Sequence, residues 1–299
     1  MKWLQSILPS RKPSGAERFA FPFFRDRTIQ QEIAQKGFSV QPLLSLEEVE
    51  LLRQDFFRLV EMLPEPLPDK HWTSGRVDDP EIRNFARQAI EKIVPRRLEQ
   101  YFDPRITDFI GGIFLAKKPS PVSELTAHQD SSHTDETRYP AAYAWIALTD
   151  TTPENGAMHV LPGSHLFGNR FRSLNVPWLY AGMEELMTPY LVPVSMKAGE
   201  VLFFDSAAIH YSSNNMSSYI RPAINYFIKP KEALFLHHYI DEKTPAGFVE
   251  VYHVDIDFFY NCDFMQRPPC PPYRKLGMEP AIPPLQKEDF KVLLRKYCR

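Results

Sequence analysis

The sequence predicts a mainly β protein with flanking helices, its strands closed into an antiparallel barrel or jelly roll. Three observations point there. From Ile106 onward, short apolar or alternating runs recur between clusters of Gly, Pro, Asn and Ser, the pattern of many short strands joined by turns. Before that point, two stretches carry apolar residues at helical spacing. The 299 residues accommodate one barrel, ordinarily about 200–250 residues, with helical additions. The expected organisation is one domain over 1–299: a mainly helical part over 1–105, a β core over 106–230 and a C-terminal extension over 231–299.

Composition bounds the function. Hydrophobic residues make up 43% and aromatic residues 13% of the chain, enough for a packed core. A formal net charge of −2 gives no electrostatic case for nucleic acid. No apolar run reaches the roughly 18 residues of a membrane span. The stretch Met1-Lys2-Trp3-Leu4-Gln5-Ser6-Ile7-Leu8 is too short and interrupted for a signal peptide and reads as a frayed or packed terminus. Cys262, Cys270 and Cys298 have no zinc spacing; an odd count without a secretion signal fits a reduced, cytoplasmic protein. The prolines cluster at 64–68 and 268–284 and mark loops.

The elements follow in order. Residues 28–37 read as a short helix stopped by Gly37, and Phe38-Ser39-Val40 alternates as a strand. Ser45-Leu46-Glu47-Glu48 is a capping-box pattern. It opens a helix with a core stripe of Val49, Leu52, Phe56, Leu59 and Leu63, ended by Pro64. Residues 69–79, with His71, Trp72 and Arg76, form a polar loop, either plain surface or a lid. Asp79-Pro80 caps the next helix, whose stripe is Ile82, Phe85, Ala89 and Ile93. Residues 107–117 are β-rich; 142–148 form a strand with Tyr143, Trp145 and Ala147 on one face. Asn155-Gly156 is a turn before a strand over 158–161. Residues 169–189 are long, polar-aromatic and aperiodic, a loop of the functional kind, with Trp178 and Tyr180 as a substrate-facing cover. Runs 191–194 and 201–204 read as a hairpin. Runs 234–239 and 249–259 are β-like, and residues 287–297 close the chain as an amphipathic helix.

The chemistry is carried by Leu125-Thr126-Ala127-His128-Gln129-Asp130. On a strand, positions i and i+2 face the same way, so His128 and Asp130 point into one space. Two His and one carboxylate with open positions is the ligand set of non-haem Fe(II) oxygenases. Polar turn formers over 212–218 separate two apolar runs and read as a hairpin. With its turn centred between Asn215 and Met216, His210 lies opposite Arg221 and Ser212 shares their face. Arg221 then supplies a bidentate fork for the far carboxylate of a metal-chelating oxo-diacid. A second His-x-Asp, His133-Thr134-Asp135, is the rival pair; His133 reads either as a solvated loop residue or as a substrate contact at the mouth. His159 and His165 read as structural, His237-His238 as packing or surface, and Asp255 and Asp257 as the wet face of a strand.

Together these residues resemble the phytanoyl-CoA dioxygenase-like (PhyH) family of iron(II)/2-oxoglutarate-dependent oxygenases. The resemblance rests on His128-Gln129-Asp130, His210, Ser212, Arg221, Trp145, and Glu154-Asn155-Gly156 leading to Leu161-Pro162-Gly163-Ser164-His165. It covers roughly 111–229 and a helical N-terminal part. It implies a double-stranded β-helix (jelly-roll, cupin-like) core with the N-terminal helices packed on one sheet. It implies Fe(II) on His128, Asp130 and His210, and 2-oxoglutarate as co-substrate held by Arg221 and Ser212. Trp145 would lie near that co-substrate. Phe114 would line its pocket; as an ordinary core Phe it is equally well explained. With O2, the implied reaction hydroxylates an unactivated C–H bond of a small organic substrate (a secondary metabolite, amino-acid derivative or acyl group), releasing succinate and CO2. Related halogenases carry Ala or Gly where Asp130 stands, so its carboxylate implies hydroxylation, with desaturation and cyclisation left open. Two rivals use the same residues: a zinc-dependent hydrolase, and a non-enzymatic metal-containing binding protein.

Overall fold

The computed structural model describes residues 20–298; the expectation for residues 1–8 lies outside them. Helix α1 (Arg27–Lys36) is capped by the Asp26 carboxylate and ends where Gly37 turns left-handed at φ 87°. A Cβ there would also meet His165 Nδ1 at 2.7 Å. Strand β1 (Phe38–Pro42) follows. Helix α2 (Leu46–Met62) realises the capping box: Ser45 accepts from the Glu48 amide and the Glu48 side chain accepts from the Ser45 amide. It buries Val49, Leu52, Phe56 and Leu59. After β2 (Trp72–Thr73), α3 (Pro80–Glu91) starts on an Asp79 cap and buries Ile82, Ala86, Ala89 and Ile90. Helix α4 (Val94–Leu98) completes the helical part.

The strands then come in quick succession: β3 (Thr107–Lys117), β4 (Leu125–His128), β5 (Ala142–Ala147) and β6 (Met158–Val160). Past the short α5 (Glu184–Met187) come β7 (Val192–Val194), β8 (Glu200–Asp205), β9 (His210–Ser212) and β10 (Arg221–Pro230). They form two antiparallel sheets, one of order β1-β8-β5-β10-β3-β2 and one of order β4-β9-β6-β7. The inner faces share a core in which Trp145 and Leu202 of the larger sheet meet Met158, Val160 and Val194 of the smaller. The outer face of the larger sheet, with Ala144, Ile146, Phe203 and Ile224, packs on Phe56, Leu59 and Ile90 of the helices. Each large apolar side chain buried there contributes roughly 1.5–3 kcal/mol. The architecture is thus a double-stranded β-helix with its N-terminal helices on one sheet.

Two expected hairpins are absent. Strands β9 and β10 belong to different sheets, and so do β7 and β8. Arg221 pairs with Lys117 on β3, while His210 pairs with His128 and Val160. Polar turn formers serve a hairpin and a sheet-to-sheet crossing equally well; the choice is made by distant partners. Buried Asn215 pins the crossing, donating to the Lys117 and Tyr219 carbonyls at 2.8 Å each.

The C-terminal extension adds a third sheet of β11 (Leu236–Tyr239), β12 (Phe248–His253) and β13 (Arg274–Pro280). The β-like run expected over 249–259 breaks at Asp255, whose carboxylate caps helix α6 (Ile256–Asn261). Asp255 and Asp257 therefore sit at a helix start, not on a strand's wet face; the alternation came from a helix whose first turn is acidic. Helix α7 (Lys287–Tyr297) closes the chain. Among the described residues no helix is long and apolar enough to cross a membrane.

Candidate functional site

Strands β4 and β9 run side by side in the smaller sheet, and their pairing sets His128 directly against His210. The two imidazole centroids lie 4.2 Å apart. Asp130, just past the end of β4, reaches both: its Oδ1 is 3.9 Å from His128 Nε2 and its Oδ2 is 3.9 Å from His210 Nε2. One ligand atom from each of the three lies within 4.8 Å of the others. These separations are too long for hydrogen bonds and leave space for a shared cation. Both rings are oriented alike. His128 Nδ1 lies 2.7 Å from the Thr126 carbonyl and His210 Nδ1 lies 3.1 Å from that of Ala208. A proton held on Nδ1 by a carbonyl leaves the Nε2 lone pair for a metal. Burial, reinforced by His210, pushes the His128 imidazole down to about 4 against the pull of Asp130, so it is neutral at ordinary pH.

A cation faces this trio from the other sheet. Arg221 opens β10 and is 1% exposed. Among the described residues its Nε and Nη1 are buried without a hydrogen-bond partner, and its guanidinium lies 5.0 Å over the Trp145 ring. Burial pushes its pKa down to about 10. Neighbouring Lys117 is also buried, but its Nζ is engaged by the Ser212 and Ser213 carbonyls at 2.9 and 2.6 Å. Burial, then the charge of Arg221, lowers Lys117 to about 7. Two nitrogens of this buried cation thus have no partner among the described residues, a state that costs free energy unless an acceptor meets them. The trio, Ser212, Trp145 and Arg221 line one cavity of about 940 Å³, within the usual size of a ligand site.

Phe114 is not on this cavity. It is fully buried on the helix-facing side of β3, its ring 5.7 Å from Phe56, while its neighbours Ile113 and Leu115 line the cavity. Side chains alternate along a strand, and position 114 falls on the outer face. The second His-x-Asp is not brought together. His133 lines the cavity among Phe227, Phe235 and Phe259, but Asp135 turns away to accept from the Thr137 hydroxyl and amide. His159 packs edge-on to Tyr211 and His165 lies against Gly37. His237 and His238 are both buried, and His237 also lines the cavity.

Both loops reach the site. Residues 69–79 bring His71, Trp72 and Arg76 to the cavity wall, and residues 169–189 bring Phe171, Leu174 and Trp178. Burial, with the charges of Arg221 and Lys117, drives His71 down to about 3. Sequence reasoning missed the buried ion pair of Arg172 with Glu136, because two charges this far apart leave no local signal.

Comparison with known proteins gives a family. A family model described as phytanoyl-CoA dioxygenase (PhyH) matches residues 35–223. The phytanoyl-CoA dioxygenase domain-containing protein 1 homolog of Dictyostelium discoideum is 24% identical over 251 residues, covering 66% of this chain and 89% of its own length. A phytanoyl-CoA dioxygenase of Arabidopsis thaliana is 32% identical over 114 residues, 37% of this chain and 40% of that protein. Among solved structures, the epimerase SnoN, crystallised with Fe3+, alpha ketoglutarate and nogalamycin RO, superposes with a TM-score of 0.51 at 18% identity. The match covers 70% of this chain and 85% of that one. Likeness at that identity speaks to the fold alone.

Proposed function

This chain belongs to the phytanoyl-CoA dioxygenase (PhyH) family, and from that premise we propose that it is an iron(II)- and 2-oxoglutarate-dependent oxygenase that hydroxylates an unactivated C–H bond of a small organic substrate. The observation that carries this reading is Arg221: a buried guanidinium with two donor nitrogens unused among the described residues, in the same cavity as a His-Asp-His trio. A metal-chelating keto-diacid has one end for the trio and one for the guanidinium. A zinc hydrolase on the same trio would leave Arg221 without a task.

In this reading His128 and His210 present their Nε2 lone pairs and Asp130 its carboxylate, which offsets part of the charge of an iron(II) ion. Bound iron would supply the activation of O2, coupled to conversion of 2-oxoglutarate into succinate and CO2. Arg221 receives the far carboxylate through a charge-assisted fork, the Ser212 hydroxyl adds a donor, and Trp145 supports the guanidinium from below. Asp130 in the carboxylate position favours hydroxyl transfer over halide transfer.

The cavity wall beyond the trio includes Phe171, Trp178, Phe259, Phe264, His133 and His237. Burial drives His133 to about 4 and His237 to about 3, so both are neutral, and Arg172 is already neutralised by Glu136. The charged side chains Arg76 and Glu184 also line the cavity but are exposed, so the lining supports a substrate whose enclosed part is uncharged and largely apolar. The test is oxygen-dependent release of succinate from 2-oxoglutarate with Fe(II). Wild type releases it and Asp130→Ala does not; equal release by the two, or none by wild type, overturns the proposal.

A further inference from the structure

The ion pair between Arg172 and Glu136 sits beside the trio without touching its ligand atoms. Both side chains are 3% exposed. Nη1 and Nη2 of Arg172 donate to the two Glu136 oxygens at 2.7 Å each, and Nη1 also bonds the Asn169 carbonyl. The remaining edge of the fork is the informative one: Nε donates at 2.7 Å to the main-chain carbonyl of Asp130. Glu136 in turn accepts from the Ser206 hydroxyl at 2.5 Å, in the segment leading to His210.

Gln129, between the two ligand residues of β4's end, repeats the pattern. Its amide nitrogen donates to the Ala207 carbonyl at 2.5 Å. Its oxygen accepts from Asn169 Nδ2 at 2.9 Å and from Trp178 Nε1 at 3.3 Å. Residues 169–178 are thus bonded directly to Gln129 and Asp130 and, through Gln129 and Glu136, to the segment leading to His210; the same residues supply Phe171, Leu174 and Trp178 to the cavity. A buried ion pair adds little net stability compared with apolar packing, so stability is a poor account of this one. Its hydrogen bonds, unlike its charge, go where the ligands are.

We propose that Arg172 is a positioning residue for the metal centre: by holding the Asp130 carbonyl and Glu136 together it makes the 169–178 strap and the His128-Asp130-His210 geometry one cooperative unit. The strap cannot lift without freeing the peptide that aims the Asp130 carboxylate, and metal on the trio in turn holds the strap down. Such coupling is reciprocal. Lysine cannot substitute, because a point charge lacks the planar fork that meets the Glu136 carboxylate and the Asn169 and Asp130 carbonyls at once. The proposal rests on the oxygenase reading only in taking the trio to bind metal.

The experiment uses the full chain and Co(II) as probe. In Arg172→Lys, and in the charge-free pair Arg172→Met with Glu136→Gln, calorimetric titration should show Co(II) binding weakened at least about tenfold, as for other residues that orient metal ligands. The Co(II) visible spectrum should change while circular dichroism still reports a folded chain. In wild type, Co(II) should slow amide hydrogen exchange across 169–178 as well as at 128–130. Co(II) affinity within twofold of wild type in whichever variant folds, or exchange protection confined to the ligand segments, overturns the proposal. Wild type that binds no Co(II) would instead defeat the oxygenase reading itself.

Discussion

Replacing Arg221 by Leu separates a co-substrate anchor from a structural residue, because the two roles predict opposite signs. In the 2-oxoglutarate complex, the variant loses one partner of a buried charge-assisted pair. Such truncations cost about 2–5 kcal/mol, roughly 30- to 4,000-fold in affinity at 1.4 kcal/mol per decade. In the free protein the balance reverses. Nε and Nη1 are buried and, among the described residues, unpartnered, and an unsatisfied buried polar group costs about 1–3 kcal/mol. Against that stands the contact of the guanidinium with Trp145, worth about 0.5–2 kcal/mol. The free variant should be at least as stable as wild type, and Lys117, relieved of a neighbouring charge, should titrate higher. Anaerobic calorimetry of 2-oxoglutarate binding to the Fe(II) protein measures the first effect and urea unfolding of the metal-free protein the second. Unchanged 2-oxoglutarate affinity together with a clear loss of stability would refute the assignment.

Other outcomes follow from the same geometry. Phe114→Ala empties a site facing the helices and should lose about 3–5 kcal/mol of stability while leaving the KM for 2-oxoglutarate unchanged; a raised KM would mean the ring faces the cavity after all. Buried His238 is held down to about 4, chiefly by desolvation, whereas in the unfolded chain it protonates near 6.5. Its contribution is therefore intact above about pH 6.5 and lost as pH falls toward 4, with about 2 kcal/mol of it already lost at pH 5. His238→Asn should flatten that part of the pH dependence in urea unfolding, and an unaltered slope between pH 7 and 5 would contradict it. Gly163→Ala would place a Cβ 2.1 Å from the Tyr297 carbonyl at a left-handed φ of 76°. It should lower the melting temperature by loosening α7.

Local signals are legible in the sequence. The Ser45 capping box, the Asp79-Pro80 start and the β3 run all stand where their residues place them, because caps and periodicity are decided within a few residues. The meeting of His128, Asp130 and His210 was also legible from the two-residue spacing of the first pair, although β4 ends at His128 and Asp130 reaches the site from just beyond it. What failed was pairing. Centring a turn between Asn215 and Met216 sets His210 opposite Arg221 only in a hairpin, whereas the chain crosses from one sheet to the other over 213–220. The two residues still share a cavity, because both sheets turn their inner faces to it. Phe114 was misplaced for a related reason: alternation gives two faces of β3 but not which one the cavity takes. The Arg172–Glu136 pair and the walls supplied by His237, Phe259 and Phe264 depend wholly on tertiary contact.

The central claim is that one cavity binds a metal through His128, Asp130 and His210 and a keto-diacid through that metal and Arg221. The direct measurement is anaerobic addition of 2-oxoglutarate to the Fe(II)-loaded protein, followed by visible absorption. Wild type should develop the metal-to-ligand charge-transfer band of a chelated keto acid, saturating at one equivalent of iron, Arg221→Leu should develop it only at much higher 2-oxoglutarate, and Asp130→Ala should not develop it. Iron binding with no such band at saturating 2-oxoglutarate would contradict the account.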